Sequence, residues 1–114
     1  MEPPRAAYPK DARLRRARDF QPVRTRGRRH VGAQAVVRAV RNDVGRARLG
    51  IASPRSYGDA VRRNRFRRLV REAFRATAAT FPAVDLLVEP RRDLREPDLG
   101  AIAADLAAAV RRLA

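Results

Sequence analysis

The segment from Asp59 to Thr77 constrains the fold of this chain more than any other. Phe66, Leu69, Val70, Ala73, Phe74 and Thr77 recur at the spacing that gathers side chains on one face of an α-helix. At 3.6 residues per turn, Asn64, Arg68, Arg71 and Arg75 fall on the opposite face, flanked by Arg65 and Arg67. Asp59 reads as the N-cap, because its carboxylate can accept from the free amides of the first turn; the other reading is that, beside the arginines, it holds a hydrated cation when a polyanion is present. Arg62 and Arg63 fit the polar face poorly and are expected in or just before the first turn, projecting beyond the core. A helix divided in this way must lay its apolar face on another element, so the rest of the chain has to supply a layer for it.

That layer is legible downstream and upstream. Residues 33–41 carry Val36, Val37 and Val40 and read as a strand. Asn42-Asp43-Val44-Gly45 is a turn cluster. Residues 46–53 alternate Arg46, Arg48 and Gly50 against Ala47, Leu49 and Ile51, a half-buried strand expected to pair with the first as a hairpin. Val84 to Val88, with Leu86 and Leu87, reads as a central strand buried on both faces. A first, short helix is expected from Asp19 as N-cap to Gly27, with Pro22 in its first turn and Phe20 and Val23 on one face. A last helix is expected from Pro97, with Leu99, Ile102, Ala103, Leu106, Val110 and Leu113 on its apolar face and Arg111 and Arg112 at its C-terminal end. The order is helix, strand, strand, helix, strand, helix, with room for one extra short strand. This is an α+β fold of one domain over residues 13–114, preceded by a proline-rich flexible tail over residues 1–12 that includes Tyr8.

Charge then decides the class of partner. The chain has 27 basic and 12 acidic residues, a net charge of +15, and Lys10 is its one lysine. A polyanionic partner follows, and the planar fork of arginine suits phosphate. The absence of cysteine excludes disulfides and thiolate chemistry, and a single histidine, His30, excludes a histidine metal cluster. His30 reads as a surface residue. No apolar run approaches the ~18 residues of a membrane span, and residues 1–10 lack the apolar core of a secretory signal. A cytoplasmic location is expected.

Arg62, Arg63, Arg65, Arg67, Arg68 and Arg71 crowd ten positions, and only Glu72 compensates nearby. A merely solvated face would mix signs to limit self-repulsion. The functional reading is therefore a helix face that docks on nucleic-acid phosphates. A second basic run, Arg13 to Arg29, has Phe20 embedded in it. Phe20 either stacks on an unpaired base or pins the short helix to the core, and Tyr57 is open to the same two readings. Asp43, Asp59, Asp85, Glu89, Asp93 and Glu96 are scattered, so no metal-dependent nuclease site is indicated. No catalytic triad or glycine-rich phosphate loop is present.

Leu49-Gly50-Ile51, followed by the run Gly58-Asp59-Ala60-Val61-Arg62-Arg63-Asn64-Arg65-Phe66-Arg67-Arg68-Leu69-Val70-Arg71-Glu72-Ala73-Phe74-Arg75, resembles the protein subunit of bacterial ribonuclease P. Arg63-Asn64-Arg65 and Arg67-Arg68 match the family's signature. Arg13 to Arg16, Asp19 to Val23 with Gly27, Asp85 to Val88 and the last helix also fit, so the resemblance spans about residues 13–113. It implies an αββαβα-like two-layer fold with a small central sheet and a left-handed βαβ crossover. It also implies a protein that assists a catalytic RNA, which cleaves the 5′ leader from precursor tRNA with bound Mg²⁺. The chain would be part of an enzyme whose catalytic groups lie on the RNA, with ribonuclease P RNA and precursor tRNA as partners and no obligate protein partner or membrane. Carried across, Arg63, Asn64, Arg65, Arg67, Arg68 and Arg71 are expected to contact the RNA subunit, and Phe20, Val36 and Arg38 the leader. Where the family often has a second aromatic, one turn after Phe20, this chain has Arg24, so leader contact is expected to lean on charge. The alternatives are a ribosomal or RNA-chaperone protein, a DNA-binding domain with the long helix in a groove, and a protein-only nuclease.

Overall fold

The structure, a computed structural model, describes residues 10–113. Its elements in chain order are α1 (Ala17–Arg26), β1 (Arg28–Val31), β2 (Ala35–Arg41), β3 (Arg48–Ile51), α2 (Ala60–Thr77), β4 (Val84–Pro90) and α3 (Leu99–Arg111). The fold is α+β, with one strand, β1, beyond the αββαβα pattern. β1 pairs antiparallel with β2, where Arg28 faces Ala39 and Val31 faces Val36. The expected tail falls mostly on residues outside those described. Lys10–Ala12, however, form a 3-10 turn, and Ala12 is buried in the core.

The sheet order is β1-β2-β4-β3. The expected hairpin between residues 33–41 and 46–53 does not form. β4 inserts between them, antiparallel to β2 and parallel to β3. The reason lies in β4 itself: Val84, Leu86, Leu87 and Val88 are all buried, so both faces of this strand need cover and both of its edges need partners. An edge position would leave one side of its backbone unpaired. The connection from β3 through α2 to β4 is therefore a parallel crossover, and Asn42 starts the long turn out of β2. Its side chain accepts from the Val44 amide at 3.0 Å and donates to the Arg46 carbonyl at 3.0 Å.

The main core fills the space between one sheet face and the pair α2 and α3. Val37, Ala39, Leu49, Leu86 and Val88 meet Phe66, Val70, Ala73, Phe74, Ile102 and Leu106 there. The apolar face anticipated for α2 is the buried one, and Asp59 caps the helix by accepting from the Arg62 amide at 2.9 Å. On the other sheet face α1 packs against β2 and β4. A small second cluster forms there from Leu14, Val23 and Leu87, with Phe20 and Val40 against it.

Helix boundaries differ from expectation in instructive ways. α1 begins before Asp19, which sits in the first turn and reaches back, accepting from the Arg15 and Arg16 amides at 3.1 and 3.0 Å. Pro22 consequently lies in the second turn, where it removes one helical hydrogen bond. α3 begins after Pro97: Asp98 is its N-cap, accepting from the Ala101 amide at 2.8 Å. Leu99 is exposed, whereas Asp105, read by no sequence pattern, is buried. Its carboxylate accepts from the Ala33, Gln34 and Ala35 amides at 2.9, 2.9 and 3.0 Å and so holds the β1–β2 turn on α3. A Cβ on Gly32 would lie 2.2 Å from that carboxyl group, which explains a glycine in this turn.

Candidate nucleic-acid interface

The outward side of α2 carries Asn64, Arg67, Arg68 and Arg71 along one stripe, with Arg63 and Arg65 on its two flanks. These six residues are not equally free. Arg67 is half-buried and donates to the Ile51 carbonyl at 3.3 Å and the Ser53 hydroxyl at 3.2 Å, which ties the stripe to the end of β3. Arg63 donates to the Asp59 carbonyl at 3.4 Å. Arg65 is exposed and lies 3.4 Å from the Glu96 carboxylate. Asn64, Arg68 and Arg71 have no side-chain partner among the described residues, and Asn64 and Arg68 are exposed. Arg62, expected to project outward, turns inward instead. Its guanidinium lies 4.4 Å over the Tyr57 ring and donates to the Leu94 carbonyl. Tyr57 is buried edge-on against Phe66, which resolves its role in favour of packing.

The β3 edge joins this stripe to the other sheet face. A groove of about 420 Å³ runs along it, lined by Arg13, Leu14, Arg15, Phe20, Leu49, Gly50, Ile51, Arg67 and Arg71. The backbone at Leu14 donates to Leu49 at 3.0 Å, so the segment before α1 forms one wall. Phe20 is half-buried: one side of its ring packs on the small cluster, and the ring also borders the groove. Gly50 makes room for it, because a Cβ there would come within 2.5 Å of the ring. The Arg24 guanidinium lies 5.8 Å from the ring centroid and so sets a cation over it. Phe20 thus meets two of the α2 arginines in one groove.

Val36 and Arg38 lie elsewhere on the same sheet face. Val36 is buried at the floor of a second hollow of about 600 Å³, shared with Arg29, Val31, Glu89, Arg91 and Arg92. Arg38 is held by the Glu89 carboxylate at 2.8 Å. Neither residue lines the groove that contains Phe20, although Arg38 is in register with Leu87, on which Phe20 packs.

Beyond the first groove, on the side away from Val36 and Glu89, an ionic network ties α1 to the sheet. Arg48 and Asp85 are register partners on β3 and β4 and bond as a fork, Nε to Oδ1 and Nη2 to Oδ2, both at 2.8 Å. Asn42 donates to the same carboxylate at 2.8 Å, and Arg48 also lies 3.8 Å from Asp19. The Asp85 hydrogen bond raises the basicity of Arg48. The amides of Arg16 and Arg15 hold the Asp19 carboxyl below the ordinary carboxylate range. Alternation along residues 46–53 places Arg48 on the outward side of its strand. It carries no signal of this pairing, because the partner strand is β4 and not the strand nearest in sequence. His30 lies on β1, where its Nδ1 accepts from Arg112 at 3.1 Å.

Among the described residues no group of three His, Cys, Asp or Glu side chains could hold a metal ion. Asp59, Asp85, Asp98 and Asp105 are each committed to caps, turns or ion pairs. The chemistry available is donation to phosphate from guanidinium groups beside one aromatic face.

Comparison with known proteins gives a consistent result. The family model described as Ribonuclease P matches residues 8–114. The ribonuclease P protein component of Chlamydia muridarum is 36% identical over 103 residues, 90% of this chain and 86% of that protein. The same component of Thermotoga maritima is 36% identical over 91 residues, 79% of this chain and 78% of that protein. The solved ribonuclease P protein of Staphylococcus aureus aligns with a TM-score of 0.76 at 27% identity, covering 90% of this chain and 94% of that one. That of Thermotoga maritima aligns with a TM-score of 0.75 at 32% identity, covering 88% and 96%.

Proposed function

The chain belongs to the ribonuclease P protein family, and on that premise we propose that it binds the catalytic RNA through α2 and the 5′ leader of precursor tRNA through the groove at the β3 edge. As a ribonuclease P protein component it is a subunit of an endoribonuclease that acts in tRNA processing. The observation that carries the finer reading is the stripe on α2, where Arg68 and Arg71 stand without an internal partner beside a groove that contains Phe20. Like charges held along one helix face lower stability in isolation, and a phosphate backbone reverses that cost.

In this reading Arg63, Asn64, Arg65, Arg67, Arg68 and Arg71 position the RNA subunit, and Arg67 also transmits the position of β3. The partly buried ring of Phe20 offers its open side to a leader base, and Arg13, Arg15 and Arg71 meet the adjoining phosphates. Val36 and Arg38 would meet the leader only beyond the groove. The described residues supply no metal-ligand set, so the chain contributes binding and orientation. Mg²⁺ bound in the holoenzyme, mainly by the RNA, would supply Lewis-acid chemistry. No helix among the described residues is long and apolar enough to cross a membrane, and the proposed place of action is the cytoplasm with the RNA.

The test is reconstitution. The chain, a ribonuclease P RNA active by itself at high Mg²⁺, and a precursor tRNA are combined at low Mg²⁺, and 5′ cleavage is compared with RNA alone and protein alone. Strong stimulation in the mixture only is the expected result. Tight RNA binding without stimulation would favour a ribosomal or chaperone role, and cleavage by protein alone would revive a protein-only nuclease.

A further inference from the structure

A second cluster of cations lies at the other edge of the sheet. Arg28 and His30 are register partners of Ala39 and Val37, so their side chains share the sheet face covered by α3. Arg28 donates from Nη1 to the Arg112 carbonyl at 2.8 Å, and Arg41 from Nη2 to the Leu113 carbonyl at 3.4 Å. Arg112 donates in turn to His30 at 3.1 Å. Arg28, Arg41, Arg111 and Arg112 are all exposed.

One reading of this arrangement is that the arginines only cap the carbonyls at the end of α3 and offset its dipole, an effect of about 0.3–1 kcal/mol per cation. One or two cations suffice for that, and each capping arginine uses one of its five N–H donors. Arg111 caps no carbonyl among the described residues. The acids are also distributed elsewhere: Arg38, Arg46, Arg48, Arg65 and Arg91 each have a carboxylate partner, whereas these four have none among the described residues. Backbone hydrogen bonds thus hold guanidinium groups near one helix end with their repulsion uncompensated and their remaining donors facing solvent.

We propose that Arg28, Arg41, Arg111 and Arg112 form a second phosphate-binding surface that clamps a stretch of ribonuclease P RNA separate from the stretch met by α2. The inference rests on the RNA-binding reading above and deepens it. Separation follows from the sheet order: β1 and β3 are opposite edges, about 14 Å apart at the usual strand spacing, and the groove containing Arg67 and Arg71 belongs to the β3 edge. Arginine forks, with no Phe or Tyr ring beside them among the described residues, suit backbone phosphates of a folded RNA and give little base readout.

The chain has no cysteine, so Arg111→Cys and Asn64→Cys each provide a single attachment point for a photocrosslinker on the full chain. Assembled with ribonuclease P RNA, the label at 111 should mark nucleotides different from those marked from 64. The variant Arg41→Gln/Arg111→Gln/Arg112→Gln should lower the slope of log affinity against log salt by about 2–3, at about 0.9 for each phosphate no longer neutralised. Because Arg41 also caps α3, Arg111→Gln carries the test if the triple variant melts early; it should lower the slope by about 0.9 with melting little changed. An unchanged slope, with no crosslink from 111 or one to the same nucleotides as from 64, would overturn the second surface alone. Failure of the unmodified chain to bind the RNA would overturn both this inference and the reading beneath it.

Discussion

The two faces of the sheet bury different kinds of material. Against α2 and α3 the packing is apolar and sealed, from Leu49 and Leu86 to Phe66 and Leu106. Against α1 the fully buried apolar cluster shrinks to Leu14, Val23 and Leu87, with Phe20 and Val40 half-buried beside it, and ion pairs share the face, with Asp85 held by Arg48 and Asn42 and Arg38 held by Glu89. The first face carries stability, because burying hydrocarbon is the dominant favourable term in folding. The second is only half covered, so it can hold a groove open, and ion pairs set the position of the covering helix. A small domain with one modest core thus separates what holds it together from what it offers to a partner.

The largest expected effect breaks the first face. Leu106→Ala, at a fully buried position, should cost about 2–5 kcal/mol of unfolding free energy, read by urea denaturation. RNA affinity per folded molecule should be unchanged, and a parallel loss of affinity would show that the faces are not separable. Asp85→Ala comes next. It leaves Arg48 without its buried partner and should cost about 2 kcal/mol or more, and here stability and leader binding should fall together because Arg48, which also faces Asp19 of α1 at 3.8 Å, loses the carboxylate that orients it.

Arg68→Glu addresses binding alone. Arg68 is exposed and has no partner among the described residues. Affinity for ribonuclease P RNA should fall about 10- to 100-fold, as for a charged hydrogen bond of about 1.5–3 kcal/mol, with the melting temperature unmoved. Gly50→Ala sharpens the comparison further, since the new Cβ would come within 2.5 Å of the Phe20 ring and 3.1 Å of Leu14. Stimulation of cleavage should drop more for precursor tRNA with a long leader than with a minimal one; equal losses would make Phe20 a packing residue only.

The smallest effect is a pH dependence. The Asp19 carboxyl titrates lower in the folded state, so its stabilisation is present above the unfolded value, about pH 4, and is lost as pH falls through the folded value. Asp19→Ala should cost about 1 kcal/mol at pH 7. The gap from wild type should close as urea midpoints are followed toward pH 2.

Local patterns reach far into this molecule. The apolar period of α2, its cap at Asp59, the burial of β4 and the basic stripe are all near-neighbour properties, and they stand where the pattern puts them. β1 is nearly invisible in the sequence, because Arg28-Arg29-His30-Val31 is a short edge strand with little to bury. The groove cannot be read there either. Arg13, Phe20, Gly50 and Arg71 are scattered along the chain, and only the crossover that sets β3 beside β4 brings them together.

The sequence by itself determined the number and rough place of the helices, the charge and the family, because periodicity, the Asp59 cap and the Arg63-Asn64-Arg65 motif are local and survive any arrangement of the elements. Only the tertiary structure decided strand order, and with it the pairing of Arg48 with Asp85, the latch at Asp105 and the inward turn of Arg62. Pairing between strands depends on which strand most needs cover on both sides, a competition among all the elements at once, and β4 won it with four buried apolar residues.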